Sequence, residues 1–107
     1  MEENSKFDKK SLKTVTGKTA NFGELAKDCV AFANANGGVI SIGIEDDSSL
    51  PESTQVISET LPEKIVKRIN ELTFNVAIRP EVITAENGGQ YICLHVFPSK
   101  VSIASTT

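Results

Sequence analysis

Between Leu25 and Ala33 the apolar residues recur at helical spacing: Leu25, Cys29, Phe32 and Ala33 share a face that Ala26 and Val30 widen. Glu24, Lys27, Asp28 and Asn34 fall largely elsewhere, so roughly three turns of helix can lie on a core. Asn21, followed three residues later by Glu24, predicts an N-cap answered by a carboxylate at the third helical position. Asn36-Gly37-Gly38 predicts the stop, because glycine takes the left-handed conformation that satisfies the last carbonyls without steric cost. Val39 to Ile44 then reads as a buried strand.

The remaining pattern is weaker at the start and clear at the end. A short strand is expected from about Lys6 to Leu12, then a turn-rich loop over Ser48-Ser49-Leu50-Pro51-Glu52-Ser53 and a short extended piece at Gln55-Val56-Ile57. A second helix starts at Thr60-Leu61-Pro62-Glu63, with Thr60 as cap, Pro62 in the first turn and Glu63 closing a capping box. Ile65, Ile69 and Leu72 form its apolar stripe. Glu81 to Ala85 and Gln90 to Phe97 flank Asn87-Gly88-Gly89 as a hairpin. The expected fold is a single α+β domain over 1–107, a two-layer sandwich in the order β-α-β-α-β-β. Two helices pack on one face of a mixed sheet of about four strands, with Cys29, Phe32, Ile42, Ile44, Ile65, Ile69, Ile92 and Leu94 in the core.

With 107 residues and 39% hydrophobic content, the chain suffices for one core and is too short for two ordinary domains. A net charge of −3 gives no general attraction to nucleic acid or membrane, so any such binding must be local. No apolar run approaches a membrane span and Met1-Glu-Glu-Asn-Ser lacks the basic start of a signal peptide, which leads us to expect a cytoplasmic protein with no membrane partner. Cys29 and Cys93 each sit in an apolar pattern without CxxC spacing and read as reduced core residues rather than a metal pair.

The helix, glycine stop, strand and acidic turn together resemble the AlbA-2 domain of the Schlafen superfamily, found at the N-terminus of many bacterial proteins classed as transcriptional regulators. The family's helix has the form E-L-x-K-D-x-x-A-F-A-N and leads into G-G, a short apolar strand, G, an apolar residue and an acidic turn. Here these are Glu24 to Asn34, Gly37-Gly38, Val39 to Ile42, Gly43-Ile44 and Glu45-Asp46-Asp47, with Ser48 where the family often has glycine. More loosely, the family's first strand, E-x-x-x-apolar-E-apolar-K, is matched by Glu3, Phe7, Asp8, Lys9 and Lys10, with Asp for the second acid and Lys9 for an apolar residue. The resemblance also implies a further strand after Phe97-Pro98-Ser99 and further C-terminal domains, often a winged helix, which would make this chain an N-terminal fragment.

Three function classes follow. Five of the eleven basic residues, Lys6, Lys9, Lys10, Lys13 and Lys18, lie in the first eighteen positions. Lys6, Lys9, Lys10 and Lys13 are candidates for phosphate contacts to DNA or RNA, which need no cofactor, and the resemblance implies such a nucleic-acid-associated role in a regulator. One Tyr and five Phe, mostly at core-like positions, suggest no stacking platform for bases. The alternative is enzymatic. Some family members are RNA endonucleases that use three carboxylates, whose counterparts would be Glu3, Asp8 and Asp46 around Mg2+ or Mn2+. Residues five apart on a regular strand face opposite sides, so Glu3 joins Asp8 only through a bulge or turn. The third class is a non-enzymatic dimerisation or nucleotide-sensing module. Gly37-Gly38 and Gly43 would be the phosphate-approaching residues, although the pair follows a helix rather than opening one. His95 reads as a structural histidine with no second His or Cys at ligand spacing.

Overall fold

A computed structural model describes residues 6–99. Glu3 and the further strand expected after Ser99 lie outside the described residues. The observed order is β1 (Lys6–Lys10), two 3-10 turns (Leu12–Thr14 and Gly17–Thr19), α1 (Phe22–Asn34), β2 (Gly38–Ile42), α2 (Leu61–Leu72), β3 (Ile78–Thr84) and β4 (Gln90–Val96). The four strands form one mixed sheet in the order β1-β2-β4-β3. β1 and β2 run parallel, so they need a crossover, and α1 supplies it. β4 is antiparallel to both β2 and β3.

All eight residues expected in the core are buried, and Val15, Leu25, Ile40, Ile57, Leu61 and Val96 join them. Ile40, Ile42, Ile92 and Leu94 project from the helix side of β2 and β4 onto Leu25, Cys29, Ile65 and Ile69. Full burial of each aliphatic side chain contributes about 1.5–3 kcal/mol, so this cluster holds the two layers together. Leu72, expected in the α2 stripe, is exposed at the end of the helix. The helix stops there, and among the described residues no later helical turn covers it.

Caps explain where the helices begin and end. The Asn21 side chain accepts from the Glu24 N–H at 3.1 Å, as expected. The reciprocal half of that box is absent: the Asn21 N–H donates to the Thr14 carbonyl at 2.7 Å, and the Glu24 carboxylate turns to Lys10 instead. At the other end Gly37 has φ of 79° and its N–H donates to the Phe32 carbonyl, and Ser99 N–H donates to the Ala33 carbonyl. The capping box expected for α2 does not form. Thr60 is in a helical conformation with no side-chain cap, its hydroxyl lying 3.1 Å from Ser58 Oγ, although Pro62 does occupy the first turn.

β3 begins at Ile78, three residues earlier than expected, and runs through Pro80. Proline is tolerated because β3 is an edge strand. β1 ends at Lys10 rather than Leu12, since Ser11 caps the first 3-10 turn and Leu12 turns toward the core. β2 ends at Ile42, where Gly43 takes φ of 113° and donates to the Lys10 carbonyl at 2.7 Å. Among the described residues no helix is long and apolar enough to cross a membrane.

Candidate nucleic-acid interface

One face of the sheet is occupied by α1 and α2; among the described residues no helix covers the other. The strand register defines what that open face carries, because side chains alternate with a period of two. One cross-strand row runs Phe7, Val39, His95, Arg79, and the next runs Lys9, Ser41, Cys93, Glu81. Tyr91 and Ile83 form a third, shorter row. Phe97 continues the alternation of β4 one step past its end, where its N–H donates to the Ala77 carbonyl.

Phe7 is 64% exposed and Phe97 44% exposed, so two of the five phenylalanines present their rings to solvent at this face. Phe74 is exposed beyond α2, leaving Phe22 and Phe32 as the buried pair. The expectation that most of the aromatic residues sit at core positions is therefore corrected. The physical reason is the single open face: alternate residues of β1 and β4 meet no second layer.

The four candidate lysines separate. Lys6 pairs in register with Gly38. The Lys9 ammonium lies on the open-face side and donates to the Ser48 carbonyl at 2.6 Å, which ties β1 to the turn after the acidic run and leaves two further N–H donors. Lys10 points to the helix side. Its side chain is only 13% exposed, and its ammonium lies 3.5 Å from Asp8, 3.2 Å from Glu24 and 2.5 Å from Asp28. Burial alone would lower its pKa, but hydrogen bonds to Asp28 and Glu24 and the charges of Asp28 and Asp8 outweigh that and raise it above the ordinary lysine value. Lys10 is thus a charged link between β1 and α1. Lys13 is exposed in the first 3-10 turn, with its backbone N–H donating to Ser11 Oγ.

The candidate carboxylates are also dispersed. Asp8 faces the helices beside Lys10, whereas Asp46 is exposed in the turn after Ile44, between exposed Glu45 and Asp47. Among the described residues, Asp8 and Asp46 belong to no group of three ligand-bearing side chains close enough to share an ion. Gly37 and Gly43 are enclosed by their own fold. A Cβ on Gly37 would meet the Val96 carbonyl at 2.7 Å, and one on Gly43 would meet Gln55 Nε2 at 2.7 Å.

His95 is not isolated from ligand-type neighbours, contrary to expectation. Its Nε2 lies 3.0 Å from Glu81 Oε1, and Cys93, two residues away on the same strand face, stands beside both. Burial and the Glu81 charge raise the Cys93 pKa, partly opposed by Arg79. The hairpin signal Asn87-Gly88-Gly89 contained this placement: counting outward from the Thr84–Gln90 pair sets Glu81 opposite Cys93. The same count sets Arg79 opposite His95, whereas Phe7 has no comparable signal, since its position depends on β1 pairing with β2, distant in sequence.

A family model described as Schlafen, AlbA_2 matches residues 3–104. No curated protein matches the chain. The family match spans all of the fold described above, including α1, its glycine stop, β2 and the acidic turn, and it points to a nucleic-acid-associated domain. The chain belongs to the Schlafen AlbA_2 family.

Proposed function

We propose that the chain binds single-stranded nucleic acid across the open face of its sheet, with Phe7 and Phe97 stacking on bases and Lys9 and Arg79 contacting phosphates. The observation that carries this reading is the row in which exposed Phe7 stands on the same face as exposed Arg79, two strands apart from it across β2 and β4. Unstacked bases have apolar faces that an exposed ring can cover, and each stacked base contributes about 1–3 kcal/mol. A guanidinium on the same face supplies the phosphate contact that a chain of net charge −3 cannot supply globally. The interaction is local, salt-sensitive and tolerant of sequence. The setting proposed for such a surface is a DNA-contacting module of a bacterial transcriptional regulator.

The test is fluorescence anisotropy with labelled single-stranded DNA and RNA and with a duplex, over a series of salt concentrations. The reading expects single strands to bind better than duplex and Phe7→Ala to weaken binding by about tenfold. Arg79→Ala should weaken all sequences alike and lower the salt slope by about one. Equal affinity in the native chain and both variants would overturn it. Shortening of the oligonucleotide with Mg2+ or Mn2+, lost in Asp46→Asn, would replace it with the carboxylate-metal nuclease reading.

A further inference from the structure

We infer that Glu81, Cys93 and His95 form a site for a borderline-soft divalent cation of the zinc type on the open face of the sheet. One thiolate, one imidazole nitrogen and one carboxylate oxygen come from two adjacent antiparallel strands. Cys93 and His95 share a face of β4, and Glu81 sits directly opposite Cys93 on β3. Their ligand atoms all lie within 4.8 Å of one another, with His95 Nε2 and Glu81 Oε1 at 3.0 Å. A tetrahedral zinc ion with bonds of about 2.0–2.3 Å has ligand-to-ligand edges of roughly 3.3–3.8 Å. Closing the trio onto an ion therefore takes small side-chain rotations and no movement of the backbone.

The donor set selects the cation. Sulfur and imidazole nitrogen favour zinc and its neighbours over Mg2+ or Ca2+, which take oxygen ligands. Three protein ligands leave one tetrahedral position, and the partial exposure of the site leaves that position to water. The scaffold is already ordered by the β3–β4 ladder, so binding does not have to organise a loop. On binding, the Cys93 Sγ–H bond breaks, the sulfur lone pair forms the metal bond and the proton passes to solvent. This site is separate from the Glu3, Asp8 and Asp46 set and does not depend on the nucleic-acid reading.

The test is titration of tag-free, reduced chain with Co2+ as the spectroscopic substitute, followed by competition with Zn2+, in the absence of nucleic acid. One Co2+ per chain with a thiolate-to-cobalt charge-transfer band, displaced by Zn2+, is the expected result. Cys93→Ser should abolish the band, Cys29→Ser should retain it, and His95→Ala or Glu81→Gln should weaken binding by about tenfold or more. Circular dichroism of each metal-free variant establishes that it is folded. Absence of the band in the native chain, or its persistence in folded Cys93→Ser, would overturn the assignment.

Discussion

The Lys10 ammonium lies 2.5 Å from Asp28 Oδ2, an oxygen that is closed to solvent and has no hydrogen-bond partner apart from this ion pair. The contact joins the last residue of β1 to the middle of α1, and Glu24 and Asp8 complete the carboxylate shell around the same ammonium. It is a fold contact made from residues that, in sequence, resemble a basic patch and an exposed helix face.

Removing the ammonium leaves the Asp28 oxygen desolvated without a counter-charge. Lys10→Met should therefore cost about 2 kcal/mol of stability, less than the roughly 3–5 kcal/mol of a fully buried pair because Glu24 and Asp8 are screened by solvent. Urea denaturation measures it. In a double-mutant cycle with Asp28→Asn, the second substitution should recover part of the loss.

How far the sequence could be read follows from whether a feature is local. The Asn21 cap, the Gly37 stop and the apolar stripe of α1 depend on residues within one or two turns, and each is present in the structure, except that Val30, expected to widen the stripe, is exposed. The capping box at Thr60 is also a local pattern, yet the Ser58 hydroxyl occupies the Thr60 hydroxyl and the box does not form. Exposure of Phe7 and Phe97 was hidden because an alternating strand shows which residues share a face, not which face remains open. The ion pairs of Lys10 are hidden in the sequence for a related reason: its partners Glu24 and Asp28 reach it only after α1 folds across β1.

Alkaline pH should destabilise the chain through Cys29. Burial, together with the Asp28 charge and against the opposing Lys10 charge, pushes its thiol up to about 12 from an ordinary 9.0. Below the ordinary value both folded and unfolded states hold the proton, and stability does not depend on this group. Between the two values the unfolded chain has released the proton and the folded chain keeps it, so stability falls as pH rises. Cys93 and Lys10, also raised, add to the decline with the same sign. Denaturation midpoints measured across this window should fall, with a shallower slope in Cys29→Ala.

Gly37→Ala should lower the melting temperature by ~10 °C. The residue adopts φ of 79°, where an L side chain costs roughly 1–2 kcal/mol, and its Cβ would press on the Val96 carbonyl and Pro98. Calorimetry on the variant gives the value directly.

Gln55 fastens the long connection between β2 and α2 to the sheet, donating from Nε2 to the Gly43 carbonyl at 2.9 Å and the Gln90 carbonyl at 2.7 Å. The backbone N–H of Gln90 donates to the Gln55 carbonyl, and the Gln90 side chain accepts from the Ile57 N–H. Gln55→Ala should cost about 1–2 kcal/mol and speed proteolysis between Glu45 and Thr54, with α1 unaffected. Limited proteolysis followed by mass spectrometry of the fragments locates the cut.

Backbone amide shift mapping on the isotopically labelled chain, titrated with a short single-stranded oligonucleotide, addresses the open-face account most directly. The account predicts that the largest perturbations fall on Phe7, Lys9, Val39, Arg79, His95 and Phe97 and diminish as salt is raised. Perturbations confined to α1 and α2, or no shifts at a concentration where the oligonucleotide is in large excess, would contradict it.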